Sequence, residues 1–370
     1  MNQEALNLAK ELAQNFSERA AEADKKGELP AEDARDLKTS GYLSLPVPKE
    51  FGGWGASLHE CVAAQLELAQ GSGSTALVAV MTLHMMGYAR ETQPWRTDLY
   101  EHLCKEVARG ALVNAVASEP RLGSPSRGGL PDSFAEQNGD DLIINGHKTW
   151  VTGGKHLDHL LVRVRLNDEA VNVWIPGNSA GLRWENTWAD SLSLRASDSH
   201  DLFLENVCVP VQNIIETSQS KSEPNIWFPM LIAATYLGVA FAASNEAIKY
   251  AKERTPTALG KPIATLPTIQ RQIGEIDLAL QTAKVFLLQT ASKWSGHKPE
   301  QFHPKAVAAK HVAIETSLQV TDKALRLVGA SGLSKDLSLE RYFRDVRAGL
   351  MHPPSQEAGL ELLGRAALGF

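Results

Sequence analysis

Three stretches of the chain collect residue types with chemical reach. AVASEPRLGSPSRGG carries Ser118, Glu119, Gly123 and Ser124 into a loop after an apolar run. Backbone N–H groups and hydroxyls in such a loop can meet a polar ligand. NGHKTWVTGG opens on Asn145-Gly146, a hairpin signal, and then runs as a strand. Side chains alternate along a strand, so Lys148, Trp150 and Thr152 are expected on one side. A large indole beside a hydroxyl suits a planar heteroaromatic cofactor, with a wall to stack on and a hydrogen bond to the ring. In the third stretch, RYFRDVRAGLMHPPSQEAGLELL, a charged helical pattern meets Met351-His352-Pro353-Pro354. Two prolines remove two backbone donors and push the residue before them out of helical geometry, so His352 sits at a break. An imidazole, with an ordinary pKa of about 6.5, accepts or donates a proton near neutrality. His84, on the apolar run STALVAVMTLHMMGY, is a second polar candidate.

The elements that must position these residues follow from the period of the apolar pattern. From Asn2 to about Gly110 the period is helical, interrupted by the loop PVPKEFGGWGAS. From about Ala111 to Val209 it becomes two, clearest where Val162, Val164 and Leu166 alternate with Arg163 and Arg165. Antiparallel, half-buried strands are expected there, with the two arginines on a solvated face. A polar segment, Thr217 to Asn225, precedes a return to the helical period, in which Ile269, Ile273, Ile276 and Leu280 trace one face. The expected fold is α+β and mostly α. It comprises an N-terminal α-helical domain (1–113), a middle β-barrel or sandwich domain (114–222) and a C-terminal four-helix bundle (223–370).

Bulk properties narrow the function classes. The 370 residues carry a net charge of -6. That balance argues against a nucleic-acid partner, since no basic surface is implied to neutralise phosphates. Three scattered cysteines form neither a metal spacing nor a disulfide framework, which points to a reducing, cytoplasmic setting. The run FPMLIAATYLGVAFAA is shorter than the ~20 residues of a membrane span and reads as a buried helix. His156-Leu157-Asp158-His159 lacks a third ligand and reads as a surface turn, so no metal site is expected.

In order and spacing, these stretches resemble the acyl-CoA dehydrogenase superfamily of FAD flavoproteins, over nearly the whole chain. The resemblance includes PxEFGGxG (Pro48 to Gly55), SEPxxGS (Ser118 to Ser124), KxWVT (Lys148 to Thr152) and LRASDS (Leu194 to Ser199). It continues through VCVP (Val207 to Pro210), AKER...LGKPI (Ala251 to Ile263), VGASG (Val328 to Gly332) and LERYFRD (Leu339 to Asp345). It implies an FAD cofactor, with Ser118 beside the pyrimidine edge of the flavin, Ser124 on the same loop, and Trp150 and Thr152 beside the isoalloxazine. It also implies that Arg254 reaches the pyrophosphate of a neighbouring subunit's FAD, Gln270 its adenosine portion, and the Gly329 to Gly332 turn its phosphates. Shared cofactors imply a homodimer or homotetramer.

The implied default reaction is α,β-dehydrogenation of an acyl-CoA thioester, with a redox partner that the residues do not specify. Yet the family's catalytic Glu position, counted from Arg344-Asp345, falls on Pro353, with His352 beside it. Its other known position falls near Phe228, and Phe228-Pro229 also stand where a CoA-contacting arginine is usual. Glu357 or Glu361, displaced by a turn of helix, are alternative acids. The His-Pro pair resembles the flavin monooxygenase branch of the superfamily, which would act on another small apolar substrate. A non-catalytic FAD-binding member is the remaining alternative.

Overall fold

The computed structural model describes residues 3–122, 129–216, 223–295 and 298–370. Five helices come first: α1 (Gln3–Lys26), α2 (Ala31–Thr39), α3 (Leu58–Leu68), α4 (Gly73–Thr92) and α5 (Thr97–Ala108). Helix α1 buries Ala5, Ala9, Leu12, Phe16 and Ala20, the three-and-four spacing of one apolar face. Helix α3 starts at a reciprocal capping box between Ser57 and Glu60. Helix α4 is buried along nearly its whole length from Gly73 to Gly87, because α3, α6 and the first strand of the sheet flank it.

Eight strands follow: β1 (Val113–Val116), β2 (Phe134–Asn138), β3 (Asp141–Val151), β4 (His159–Leu166), β5 (Glu169–Pro176), β6 (Leu182–Glu185), β7 (His200–Pro210) and β8 (Ile214–Glu216). They form one sheet in the order β6-β7-β3-β2-β4-β5-β8, with β1 paired to β4. Most pairs are antiparallel, as the alternation suggests, but β1 and β2 each run parallel to β4. Neither parallel pair was foreseen, because alternation reports which face is buried and not the direction of a neighbour.

The C-terminal part is helical: α6 (Trp227–Glu253), α7 (Pro267–Ser292), α8 (Pro299–Val328), α9 (Leu339–Asp345) and α10 (Gln356–Leu368). Helices α6, α7 and α8 pack on one another, with α9 against α6 and α8 and α10 against α8. The apolar run expected to be a buried helix is α6, which has the length and composition of a membrane span. Within the fold, 89% of its most apolar window is buried. A satisfied polar network joins α6 to the N-terminal helices. Gln65 donates to the Ala76 carbonyl and to Thr235 Oγ1, both at 2.9 Å, and accepts from Tyr42 Oη at 3.0 Å. A methylene core could not specify this contact so narrowly.

Candidate active site

Lys148, Trp150 and Thr152 do not share a face. A bulge in the β3–β7 pairing between Lys148 and Val151 breaks the alternation, and Trp150 sits there at φ 57°. That left-handed conformation is uncommon for a bulky residue and turns the indole outward, 58% exposed. Lys148 is driven into the core instead, fully buried, and Thr152 is 6% exposed.

The buried Lys148 ammonium meets Glu119, Nζ to Oε1, at 2.6 Å and also donates to the Arg163 carbonyl. Glu119 is 1% exposed and accepts the backbone N–H groups of Asp132 at 2.6 Å and Ser133 at 3.1 Å. Burial alone would raise this carboxyl, but Lys148 and the N–H donors overcome that and hold it below its ordinary value. Glu119 thereby closes both ends of the loop that begins at Ser118. Ser118 is half-buried, and its carbonyl accepts the Thr149 N–H at 3.0 Å. Ser124 lies outside the described residues.

Thr152 is held at its hydroxyl and at its carbonyl. Its hydroxyl is 2.9 Å from Ser199 Oγ, which is 2.8 Å from Ser197 Oγ. Its carbonyl accepts Asn114 Nδ2 at 2.9 Å, and Thr82 of α4 bonds both the N–H (2.9 Å) and the carbonyl (3.1 Å) of Val113 next to it. The turn bearing Ser197 and Ser199 is the LRASDS stretch. Its Asp198, at φ 47°, accepts the Leu29 N–H at 2.8 Å and so ties this turn to the N-terminal helices.

These residues fit a flat heteroaromatic ring. The Trp150 indole makes no ring contact or side-chain hydrogen bond among the described residues, although it stands on an uncommon backbone conformation. Beside it, Thr149 Oγ1 is buried without a hydrogen-bond partner. An observed outlier with an unused aromatic face and an orphaned hydroxyl is the signature of a surface awaiting a ligand.

A second group gathers at one end of the helical bundle. Arg254 caps α6 and is exposed, with no side-chain partner among the described residues, and its carbonyl accepts the Ile263 N–H. Gln270 Nε2, exposed on α7, donates to the Ala264 carbonyl at 3.0 Å. Tyr250, one turn before Arg254, bonds Ser331 at 3.1 Å and brings the Gly329–Leu333 turn to the same end. Gly329 has φ 72° with open space where a side chain would be, whereas Gly332 is buried against Leu325. Among the described residues no hydrogen bond or ring contact links this group to Trp150 of the same chain.

The third group is aromatic. His84 on α4 and His352 after α9 flank Phe228, with ring centroids 4.9 Å and 6.1 Å from it, and His352 lies 5.7 Å from Tyr236. Asn225 uses its Oδ1 for the Phe228 N–H, so its amide nitrogen, 3.1 Å from His84 Nδ1, donates there. Burial holds His84 at about 3, and burial together with the nearby Lys310 charge holds His352 at about 3. Both imidazoles are therefore neutral at pH 7. His352 Nε2 and Tyr236 Oη are buried without hydrogen-bond partners. Glu357 and Glu361 are outside this group, both exposed on α10. The His156–His159 stretch is more tightly held than a surface turn requires. Asp158 accepts Lys38 at 2.8 Å and the Leu112 N–H at 2.8 Å, and His159 packs on Trp174.

Glu119, Asn114, Asp198, Tyr236 and Lys310 were assigned no role from the sequence. Only Glu119 and Asp198 lay within recognisable stretches, and Lys148 and Leu29, which bond them, stand 29 and 169 residues away.

An N-terminal helical part, a central sheet and a helical bundle, with an outward indole on β3, make up the frame that carries these groups. Sequence profiles of the acyl-CoA dehydrogenase N-terminal, middle and C-terminal domains match residues 2–93, 114–207 and 230–356. The chain belongs to the acyl-CoA dehydrogenase family. It is 37% identical to a putative acyl-CoA dehydrogenase, YdbM, of Bacillus subtilis (strain 168), over 96% of this chain and 94% of that protein. Butyryl-CoA dehydrogenase from Megasphaera elsdenii has the same fold, with a TM-score of 0.87 and 23% identity over 99% of this chain and 97% of the other. FMN-bound TdsC from Paenibacillus sp. A11-2 also shares it, with a TM-score of 0.89 and 24% identity over 99% and 97%.

Proposed function

We propose that the chain is an FAD-dependent oxidoreductase that desaturates the Cα–Cβ bond of an acyl-CoA thioester. The observation that carries this reading is the outward Trp150 indole, set on a strained bulge beside the buried Thr152 hydroxyl, in a chain of this family. When bound, FAD supplies a hydride acceptor for the substrate β-carbon. Trp150 would stack on its ring, and Thr152 and Ser118 would hydrogen-bond the ring edge, with Ser124 on the same loop. Arg254, Gln270 and the Gly329 to Gly332 turn would hold the pyrophosphate and adenosine of a neighbouring subunit's cofactor. Their exposure at the end of the bundle supports that arrangement, and with it a homodimer or homotetramer. The division into units 1–113, 114–222 and 223–370 is part of the same proposal, as is a cytoplasmic location, which the three free cysteines support.

His352 is the proposed acceptor of the substrate α-proton. Its imidazole is neutral at pH 7, and its Nε2 has no partner. The imidazolium formed would be disfavoured by burial and by Lys310, so this chain should turn over more slowly than a member with a carboxylate base. His84, neutral and fixed by Asn225, would orient a polar group of the substrate. Glu357 is too exposed to share a desolvated site.

A second reading is a flavin-dependent monooxygenase. It is favoured by one observation, the pair of neutral imidazoles around Phe228 where Pro353 replaces a carboxylate. Anaerobic titration of the FAD-loaded protein with a panel of acyl-CoAs separates the two. Bleaching of the flavin absorbance supports dehydrogenation. If no acyl-CoA bleaches it, and reduced protein given oxygen inserts an oxygen atom into an apolar substrate, the second reading replaces the first. A protein that binds no flavin would remove the basis of both.

A further inference from the structure

The turn that carries His352 has few hydrogen bonds of its own. Pro353 and Pro354 have no N–H, and the last regular bond before them is Met351 N–H to the Ala348 carbonyl at 3.0 Å. Helix α10 begins only at Gln356. The carbonyls of His352 and Pro354 are therefore free of any helix ladder, and buried carbonyls need a donor.

Lys310 supplies it. Its side chain rises from the middle of α8, 4% exposed, and Nζ lies 2.5 Å from the His352 carbonyl and 2.7 Å from the Pro354 carbonyl. Among the described residues no carboxylate lies within ion-pair distance of it. Burial lowers this ammonium to about 8. A buried cation with no counter-charge costs stability that methionine at the same place would not incur. Its retention is explained if the two carbonyls, one on either side of Pro353, are what it is there to hold.

The His352 ring, by contrast, is held by packing alone. It lies against Tyr236 and Phe228, and its Nε2 is unpartnered. The Tyr236 wall is itself tight, since a methyl group on Gly349 would come within 3.0 Å of that ring. The backbone sets a residue's Cα–Cβ direction and restricts its rotamers, so gripping the His352 carbonyl limits where the imidazole can point.

We propose that Lys310 is the positioning residue for His352: by clamping the carbonyls on both sides of Pro353, it sets the imidazole against Phe228 and Tyr236. The proposal rests on His352 being the group that meets substrate. Lys310 itself touches neither substrate nor cofactor.

The test compares Lys310→Met and Lys310→Arg with the unaltered FAD-loaded protein. The chains are labelled with 13C at histidine Cε1, and the His352 signal is assigned by its loss in His352→Gln. In Lys310→Met the His352 signal should shift and broaden while that of the distant His147 stays in place. kcat should fall by about tenfold or more with KM nearly unchanged, the mark of a misplaced group rather than lost binding. Lys310→Arg, which keeps a pair of N–H donors, should hold the His352 signal near its original position. An unmoved His352 signal in Lys310→Met, with kcat within about twofold, would overturn the proposal. If the signal moves but neither Lys310→Met nor His352→Gln alters turnover, the clamp stands and His352 loses its part in the reaction. Should Lys310→Met not fold, Lys310→Gln, which keeps an amide donor without the charge, is read in the same way.

Discussion

Lys148 and Glu119 meet 2.6 Å apart in the core, two residues before the outward Trp150 and one residue after Ser118. One buried ion pair therefore fixes both the loop and the strand proposed to border the flavin. Its removal is a direct test of how the site is built. Lys148→Met leaves the Glu119 carboxylate buried without its counter-charge, and should cost about 3–5 kcal/mol in urea unfolding. Adding Glu119→Gln should return part of that loss, because the remaining groups are neutral. A single variant as stable as the parent would mean that the pair contributes nothing to the loop.

Trp150 should behave in the opposite way. Its side chain is 58% exposed and makes no ring contact or side-chain hydrogen bond among the described residues, so Trp150→Ala should change stability by no more than about 0.5 kcal/mol. FAD affinity should nevertheless fall by about tenfold or more, since aromatic stacking contributes about 0.5–1.5 kcal/mol beyond the area it covers. Equilibrium dialysis against FAD, set beside thermal unfolding of the apoprotein, separates the two effects. Equal affinity would leave the indole without a ligand.

Acid stability depends on the two histidines. His84 and His352 are held at about 3 in the fold and return to about 6.5 when unfolded. The unfolded chain binds more protons between those values, so the stability they confer is full above pH 6.5 and is lost as pH falls toward 3. Buried Asp345, raised to about 6, works the other way over roughly pH 4 to 6 and blunts the slope. In urea titrations at pH 7 and pH 5, His84→Gln should narrow the difference in unfolding free energy. An unchanged difference would show that His84 is not the group being titrated.

The proposed sharing of FAD between subunits can be tested by complementation. Trp150→Ala damages one half of each site and Arg254→Ala the other. In a dimer with two-fold symmetry, a random mixture of the two chains should regain about a quarter of the intact sites. Flavin content after co-expression measures this directly. No recovery would place both residues at the cofactor of their own subunit, whereas full flavin content in Arg254→Ala alone would leave Arg254 unrelated to it.

Much of the architecture was legible because burial leaves a period in the sequence. The shift from three-and-four spacing to alternation marks where the sheet begins and ends, and α6 declares itself by its apolar run. The site was legible in composition but not in orientation. Trp150 and Thr152 were recognisable as residue types, yet a bulge of one strand against another is a tertiary event, and strict alternation placed Lys148 beside them when it is in the core. Lys310 left no signal either. On α8 it occupies one lysine position among several, and only the return of the chain through Pro353 gives it a role.

The central claim is the dehydrogenation itself. The most direct measurement mixes the oxidised, FAD-loaded protein with excess acyl-CoA under argon and counts 2,3-enoyl-CoA by mass spectrometry. One equivalent of enoyl-CoA per bound flavin is expected for at least one member of a panel of short, branched and aryl-substituted acyl groups. No enoyl-CoA from any of them, with the flavin bound and still oxidised, would contradict the account.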